Sequence, residues 1–263
     1  MQQYYVEHIE RMNGGAIDRL DWSKLYQLLD EMTQGVPLVV RPIDANSKLG
    51  RGRVLTDSKQ FDSVKDLSYP PADQCKSYGR CNKPGNPVLY AGIGTELILS
   101  EIGARVGDTV GLLHFSPKSD VNCVRLGALN MWRRTSGQCD LPTNIKNEIN
   151  KIYSNPENIT AFLLDAFVSD YFSRQSNIQS YKLTSAYTSA IFNSHPNIEG
   201  LIYESVNHTA GSCLAISTSA YDRKFIPTDA QIIRISSYLG YGIYDFEVIK
   251  QTNKFHGDQI IWE

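Results

Sequence analysis

The sequence predicts an α+β fold in which a mixed, mostly antiparallel sheet is flanked by helices. Many short apolar segments are separated by clusters of glycine, proline, asparagine and serine, which is typical of strands joined by turns. A few longer segments carry apolar residues at helical spacing. Because these helices do not alternate regularly with the strands, the pattern favours a mixed sheet over a doubly wound parallel one.

The first 35 residues are predicted to form a helical extension. Leucine and methionine residues recur at helical spacing within 18–32, and Gly35 with the following Val36-Pro37 ends the pattern. The chain changes character at this point, because apolar strand segments begin. We therefore interpret residues 1–35 as an extension and 36–263 as one domain.

The main domain is predicted to combine three helices with eight strands. Thr95 is the expected N-cap of the first helix, and Gly103 lies near its end. No element is assigned to 116–143, which mixes arginines with turn residues. Helices are expected at 95–104, 158–174 and 182–193, and strands at 37–40, 53–55, 87–91, 109–115, 198–205, 212–216, 232–235 and 243–249.

Charge and composition exclude several classes of protein. The chain has 26 basic and 28 acidic side chains, whereas a protein that grips nucleic acid normally carries a large basic excess. No apolar run is long enough for a transmembrane helix, and the first residues lack the features of a signal peptide. The five cysteines cannot all pair and show no CxxC spacing. We expect a cytoplasmic protein that binds neither nucleic acid nor a membrane.

Searches for widespread catalytic motifs find none. The sequence contains no P-loop, no HExxH and no GxSxG, and its five histidines are scattered. Gly92-Ile93-Gly94 lies between a predicted strand and a predicted helix, but Leu97 stands where a dinucleotide fingerprint has its third glycine. The cysteine and histidine spacing does not fit a zinc site, so no metal is expected.

Three segments combine residues that carry chemistry. The first is LGRGRV at 49–54. The second starts with a double proline in 67–71, continues with GRCNKPGNPVLYA at 79–91 and reaches Glu101. The third is IEGLIYESV at 198–206.

In this order and spacing the segments resemble the RES domain, a family named for its recurrent Arg, Glu and Ser. Its longer members have an RxR strand, a double-proline turn and a Gly-Arg-x-Asn block that leads into PVLY. A glutamate follows that tyrosine by eleven residues, as Glu101 follows Tyr90 here. A late G-[LI]-x-Y-x-S pattern matches the segment that ends at Ser205. The resemblance covers about residues 36–220, and it marks 36–263 as a RES-like catalytic domain.

The resemblance implies an NAD+-consuming enzyme with a fold related to ADP-ribosyltransferases. Members split the nicotinamide–ribose bond and pass ADP-ribose to inorganic phosphate or to a protein. We expect phosphorolysis to ADP-ribose-1''-phosphate and nicotinamide, with NAD+ as substrate, inorganic phosphate as co-substrate and no metal. Many members are toxins held inactive by a cognate antitoxin, so an antitoxin or immunity protein is an implied partner.

The resemblance also assigns roles by position. Glu101 acts at the ribose, and Ser205 contacts the substrate from the opposite strand. Arg80 and the first arginine of the RxR pair, Arg51, bind the diphosphate, and Tyr90 stacks near the nicotinamide. The implied catalytic residues are Glu101, Arg80, Arg51 and Ser205, and the implied NAD+ contacts are Tyr90, Arg51, Arg53, Arg80, Asn82 and Ser205.

Elementary chemistry agrees with these roles. Breaking the nicotinamide–ribose bond builds positive charge on the sugar, so a nearby carboxylate stabilises the transition state more than the ground state. A carboxylate can also position a sugar through its hydroxyl groups. The planar fork of a guanidinium binds two phosphate oxygens at once, and an aromatic face attracts a pyridinium cation.

The arginine of the first strand is open among three candidates, Arg41, Arg51 and Arg53, and the spacing to the Gly-Arg-x-Asn block favours Arg51. A lone arginine such as Arg80 more often braces a loop. Two segments, 1–35 and 116–143, are available for partner binding or for a homo-oligomer.

Three departures from the family pattern support a rival interpretation. Gly50 replaces an aromatic residue, Leu97 stands where a threonine is common, and Cys81 replaces a small or aromatic residue. The rival is a module that binds NAD+ without turning it over. A further alternative keeps the pocket but transfers ADP-ribose to a protein, and hydrolysis by water is also open.

Overall fold

A computed structural model describes residues 2–13, 16–55, 61–175, 177–208 and 211–262. The chain divides into two compact units, each built from non-consecutive segments. The first unit comprises Met1–Pro42, Cys75–Asn86 and Asn122–Tyr203, and the second comprises Ile43–Gln74, Pro87–Val121 and Glu204–Glu263.

The described residues form both helices and strands, numbered here in chain order. The α-helices are α1 Gln2–Asn13, α2 Trp22–Thr33, α3 Val64–Leu67, α4 Thr95–Glu101, α5 Ala128–Arg134, α6 Thr143–Tyr153, α7 Ile159–Ser173, α8 Ile178–Ser194 and α9 Thr218–Lys224. The strands are β1 Val40–Ile43, β2 Leu49–Val54, β3 Val88–Gly92, β4 Thr109–Pro117, β5 Val121–Arg125, β6 Gly200–Glu204, β7 Ser212–Ser217, β8 Phe225–Gly240, β9 Ile243–Thr252, β10 Phe255–His256 and β11 Gln259–Ile260. Short 3-10 helices lie at Ala16–Arg19 and Pro156–Asn158.

The first unit is mainly helical. Helix α2 packs along α8, and α7 contributes the buried side chains of Phe162, Phe167 and Phe172. Three strands in the order β1-β5-β6 accompany the helices, and β5 and β6 run parallel with Cys123 opposite Gly200. The N-terminal helix is tied to α2 because the Tyr5 hydroxyl donates to the Met32 carbonyl at 2.6 Å.

The second unit is built on six neighbouring strands in the order β7-β3-β2-β4-β8-β9. Each of the five neighbouring pairs in this order is antiparallel. Strand β2 lies in the middle, where Arg51 pairs with Leu113 of β4 and Gly50 pairs with Gly92 of β3. The α+β class with a mostly antiparallel sheet and flanking helices is therefore confirmed.

Helix α4 lies close against one face of this sheet. Its Ile98 and Leu99 join a buried cluster with Leu112 and Ile233. A Cβ atom at Gly50 would lie 2.7 Å from Ile98 Cδ1, and one at Gly52 would lie 2.7 Å from Ile98 Cγ2. The two glycines of LGRGRV thus leave the space into which α4 packs.

Most predicted elements are found with revised ends, but the strand expected at 37–40 is wrong over 37–39, because β1 begins only at Val40. The expected helix N-cap at Thr95 is wrong: Gly94 is the N-cap, and its positive φ of 91° turns the chain into α4. The unassigned stretch 116–143 contains β5, α5 and the start of α6. The strand expected at 232–235 extends to the sixteen residues of β8, because β9 pairs with it as a long hairpin. Among the described residues, no helix is long and apolar enough to cross a membrane.

Candidate active site

Glu101 is the last residue of α4. The helix ends there in a Schellman motif: Gly103, with φ of 62°, donates to the Ser100 carbonyl at 3.1 Å, and Ala104 donates to the Leu99 carbonyl at 3.0 Å. The side chains that precede Glu101 are buried, whereas Glu101 itself is exposed. The helix terminus therefore presents a carboxylate to solvent from a fixed backbone.

Ser205 holds that carboxylate from a distant part of the chain. Its Oγ donates a short hydrogen bond to Glu101 Oε1 across 104 residues of sequence. The same oxygen accepts from the backbone N–H of Asn207 at 3.1 Å and of His208 at 2.8 Å. Because a hydroxyl has two acceptor sites and one hydrogen, these two N–H groups leave the hydrogen to Glu101.

The Glu101–Ser205 pair leaves part of the carboxylate open. Among the described residues, Ser205 is the one hydrogen-bond partner of the Glu101 side chain. A carboxylate at the C-terminal end of a helix also faces the negative end of the helix dipole. A ligand that brings positive charge or hydroxyl donors to this point would therefore be stabilised.

His208 and the β8–β9 hairpin border this pair. The backbone of Gly242, in the hairpin turn, approaches the His208 ring so closely that a Cβ there would lie 2.7 Å from His208 Cδ2. The same Cβ would lie 3.3 Å from Ser100 Oγ, next to Glu101. No sequence pattern distinguishes His208 from the other scattered histidines, so sequence reasoning missed it.

Arg51 and Tyr90 form a separate pair. Gly50 and Gly52 face α4, so strand alternation turns Arg51 to the opposite face of the sheet. Arg51 Nη1 donates to the Tyr90 carbonyl at 3.3 Å, and burial lowers the pKa of the guanidinium. Arg51 Nε is buried and has no hydrogen-bond partner among the described residues. The structure thus joins four candidates of this unit in two pairs, Glu101 with Ser205 and Arg51 with Tyr90, and it does not bring Arg51 to α4.

The other first-strand arginines differ from Arg51. Arg53 is exposed, and its Nη1 donates to the Asp66 carbonyl of α3 at 3.0 Å. Arg41 lies in β1, within the first unit. Arg51 is thus the one of the three with a buried Nε that lacks a partner among the described residues.

Arg80 and Asn82 belong to the first unit. Arg80 Nη1 donates a short hydrogen bond to the Phe172 carbonyl, and both terminal nitrogens lie 3.4 Å from the Arg174 carbonyl. Its guanidinium also lies over the Tyr181 ring, 5.6 Å from the centroid. In this structure Arg80 therefore braces the C-terminal end of α7, as a lone arginine commonly does.

The rest of the Gly-Arg-x-Asn block is also packed into the first unit. Asn82 Nδ2 donates to the Ser77 carbonyl at 3.1 Å and lies 3.2 Å from Cys75 Sγ. Cys81 is buried, and burial raises the pKa of its thiol to about 12, although a hydrogen bond with Thr188 opposes the shift. The thiol is therefore protonated at neutral pH and is not a nucleophile.

Packing accounts for the other two departures from the family pattern. An aromatic side chain at position 50 would collide with Ile98 and with the His114 ring, since even a Cβ lies 2.8 Å from His114 Cδ2. Leu97 fills space that two glycines leave: a Cβ at Gly92 would lie 3.0 Å from its Cδ2, and one at Gly211 would lie 2.6 Å from its Cδ1. Both departures are therefore explained by the close packing of α4 against the sheet.

A pair formed by a buried histidine and a partly buried aspartate lies beside Gly50. His114 Nδ1 is 2.7 Å from Asp229 Oδ1, and Lys48 Nζ is 2.9 Å from Asp229 Oδ2. Burial lowers the pKa of His114, although Asp229 favours its charged form. If Nδ1 carries the proton toward Asp229, Nε2 is left as an acceptor. Sequence reasoning did not single out this pair, because its members are 115 residues apart.

The described residues contain no group of three or more histidine, cysteine, aspartate or glutamate side chains that could hold a metal ion. A scan against models of known protein families and a search of curated proteins each found no match to this chain. The resemblance to the RES domain therefore depends on the sequence motifs alone.

Proposed function

We propose that this chain is an NAD+-consuming enzyme of RES type, with a fold related to ADP-ribosyltransferases, in which Glu101 acts at the nicotinamide ribose. The observation that carries the proposal is the hydrogen bond between Glu101 and Ser205. The Glu and Ser positions of the motif were identified in separate segments of the sequence. If both residues act on one NAD+ molecule, their side chains must lie close together, and this hydrogen bond meets that requirement.

The proposed reaction is phosphorolysis. The bond between ribose C1'' and the pyridinium nitrogen breaks with its electron pair passing to nitrogen, and an oxygen of inorganic phosphate bonds to C1''. The products are neutral nicotinamide and ADP-ribose-1''-phosphate. Glu101 stabilises the positive charge that develops on the ribose, and its open oxygen accepts a ribose hydroxyl.

Ser205 acts as a positioning residue in this proposal. Its hydroxyl fixes one carboxylate oxygen of Glu101. The other oxygen is then already oriented for the ribose, and the side chain does not need to reorient when the substrate binds. The two backbone N–H groups that bind Ser205 Oγ keep the hydroxyl from rotating away.

The existing hydrogen bonds of the two candidate arginines limit how each could bind the diphosphate of NAD+. Arg51 and Arg80 each use part of their N–H groups on backbone carbonyls, so only their remaining donors are available to a phosphate. The buried Arg51 Nε, which lacks a partner among the described residues, is a donor that an anion could satisfy. Separate Arg51→Ala and Arg80→Ala variants would show which of them contributes to NAD+ binding.

The test follows NAD+ by proton NMR, with and without inorganic phosphate, for the wild type, Glu101→Gln and Glu96→Gln. Glu96 is the exposed glutamate of the first turn of α4 and serves as a matched control. We expect phosphate-dependent release of nicotinamide, a loss of about 100-fold or more in Glu101→Gln, and no change in Glu96→Gln.

Other outcomes decide between the alternatives. Release of nicotinamide without phosphate would show that the reaction is not phosphorolysis. It would indicate transfer of ADP-ribose to a protein if labelled NAD+ gives a labelled protein band in lysate, and hydrolysis if it does not. Intact NAD+ that raises the melting temperature would show a binding module. NAD+ that is neither consumed nor bound would refute the proposal.

A further inference from the structure

The turn of the β8–β9 hairpin carries a tyrosine that the fold does not use. Tyr241 is 98% exposed, and its φ is positive at 56°. It stands between Gly240 and Gly242, whose φ values are 90° and 80°. A non-glycine residue rarely adopts this region, and asparagine or glycine is the usual choice in such a turn. Nothing in the packing of this turn explains a tyrosine.

Two contacts support the turn. Tyr238 and Tyr244 face each other across the hairpin with ring centroids 4.8 Å apart. The Tyr238 hydroxyl accepts a hydrogen bond from the Gly242 N–H at 3.4 Å. Both contacts flank the residue from which the Tyr241 ring projects.

The turn is also next to Glu101. Gly242 packs against the His208 ring and Ser100 Oγ, as the 2.7 and 3.3 Å distances from its would-be Cβ show. The His208 N–H binds Ser205 Oγ, which donates to Glu101. Tyr241 directly precedes Gly242, so it projects from the part of the hairpin turn that lies against Ser100 and His208.

We infer that Tyr241 is a substrate-binding residue whose ring stacks on the nicotinamide of NAD+ when the attached ribose lies at Glu101; this inference rests on the proposed function. An exposed phenol ring is a suitable platform for a flat pyridinium, because the ring face attracts the cation. Tyr90, which the motifs suggested for this role, is half-buried in β3 and pairs through its carbonyl with Arg51. Tyr241, at 98%, is the most exposed of the large apolar side chains in the described part of the chain.

The test measures NAD+ affinity without turnover. Isothermal titration compares Glu101→Gln alone with Glu101→Gln combined with Tyr241→Asn, Tyr241→Phe or Leu239→Ala. Asparagine suits the turn, phenylalanine keeps the ring, and Leu239 is a second exposed side chain of the hairpin (64% exposed). We expect Tyr241→Asn to weaken NAD+ binding about 2- to 30-fold, with less than a twofold change for the other two.

A second measurement separates binding from folding. Because asparagine tolerates positive φ, Tyr241→Asn should melt at the same or a higher temperature than the parent while binding NAD+ more weakly. Equal NAD+ affinity in the asparagine variant and its parent would overturn the inference but leave the proposed function standing. If the wild type neither consumes nor binds NAD+, the proposed function fails and this inference fails with it.

Discussion

Hydrogen-bond capacity explains the roles of several single residues. Ser205 receives two backbone N–H groups and so has only its hydrogen to offer Glu101. Arg80 has five N–H donors, and the carbonyls that end α7 use part of them. Each residue has the chemistry that its motif suggested, but the available partners decide how that chemistry is used.

Asp165 illustrates the same principle in the first unit. Its two carboxylate oxygens accept from the Gly127 N–H at 2.8 Å and the Asn130 N–H at 2.9 Å, at the start of α5. Burial nevertheless raises the pKa of Asp165 from 3.8 to about 6, although these hydrogen bonds favour the charged form. The Asp165 side chain therefore caps the helix, and burial makes its ionisation less favourable than in water.

The raised pKa predicts how stability depends on pH. Between about pH 4 and pH 6 the folded protein binds this proton more tightly than the unfolded chain, so its contribution to the free energy of unfolding decreases as pH rises. Urea unfolding gives the free energy of unfolding of the wild type and of Asp165→Asn. We expect the wild-type value minus the variant value to fall by on the order of 2 kcal/mol as pH rises across this window. A difference that is independent of pH would contradict the assignment.

At the level of elements, the close approach of α4 to β2 positions Glu101. Gly50 and Gly52 supply no side chains on the face where Ile98 packs. The Schellman motif at Gly103 then stops the helix directly after Glu101. Any bulk added to β2 on this face has to displace the Ile98 side chain.

This packing predicts a coupling between β2 and α4. Gly52→Ala should destabilise the protein by about 1–3 kcal/mol, because its Cβ would overlap Ile98 Cγ2. Ile98→Ala removes that atom and should cost about 2–5 kcal/mol by itself. The free energy of unfolding of the double variant should therefore fall by less than the sum of the decreases in the two single variants. Chemical denaturation of all four proteins measures the coupling, and additivity within about 0.5 kcal/mol would rule out the overlap.

At the level of the whole molecule, the cysteines are distributed through both units and are largely shielded. No disulfide joins the five, all of which lie in the described part of the chain. Cys75, Cys81, Cys123 and Cys213 are buried, and Cys139 is partly exposed. Thiol accessibility therefore reports on the integrity of the entire fold.

Thiol labelling makes this prediction quantitative. Under native conditions one thiol, Cys139, should react rapidly with an aromatic disulfide reagent, and all five should react in denaturant. Cys139→Ser should abolish the rapid native reaction and leave four thiols after unfolding. More than one rapid native thiol, or a rapid reaction that persists in Cys139→Ser, would contradict the burial of the other four.

The sequence by itself determined the elements whose signals are local. Short apolar runs bounded by turn residues located β3, β4 and β7, helical spacing located α2, α7 and α8, and Gly103 marked the end of α4. These signals are local because they depend only on neighbouring residues. It also singled out Glu101 and Ser205 as candidates and predicted the α+β class.

Only the tertiary structure decided which distant groups meet. Glu101 and Ser205 are 104 residues apart, and the Asp165 cap of α5 is 38 residues from Gly127. The same holds for Arg51, which strand alternation and the packing of α4 turn to the opposite face of the sheet. A polar side chain can bind any partner within reach, and local sequence does not define that reach, because it is set by how the strands and helices pack.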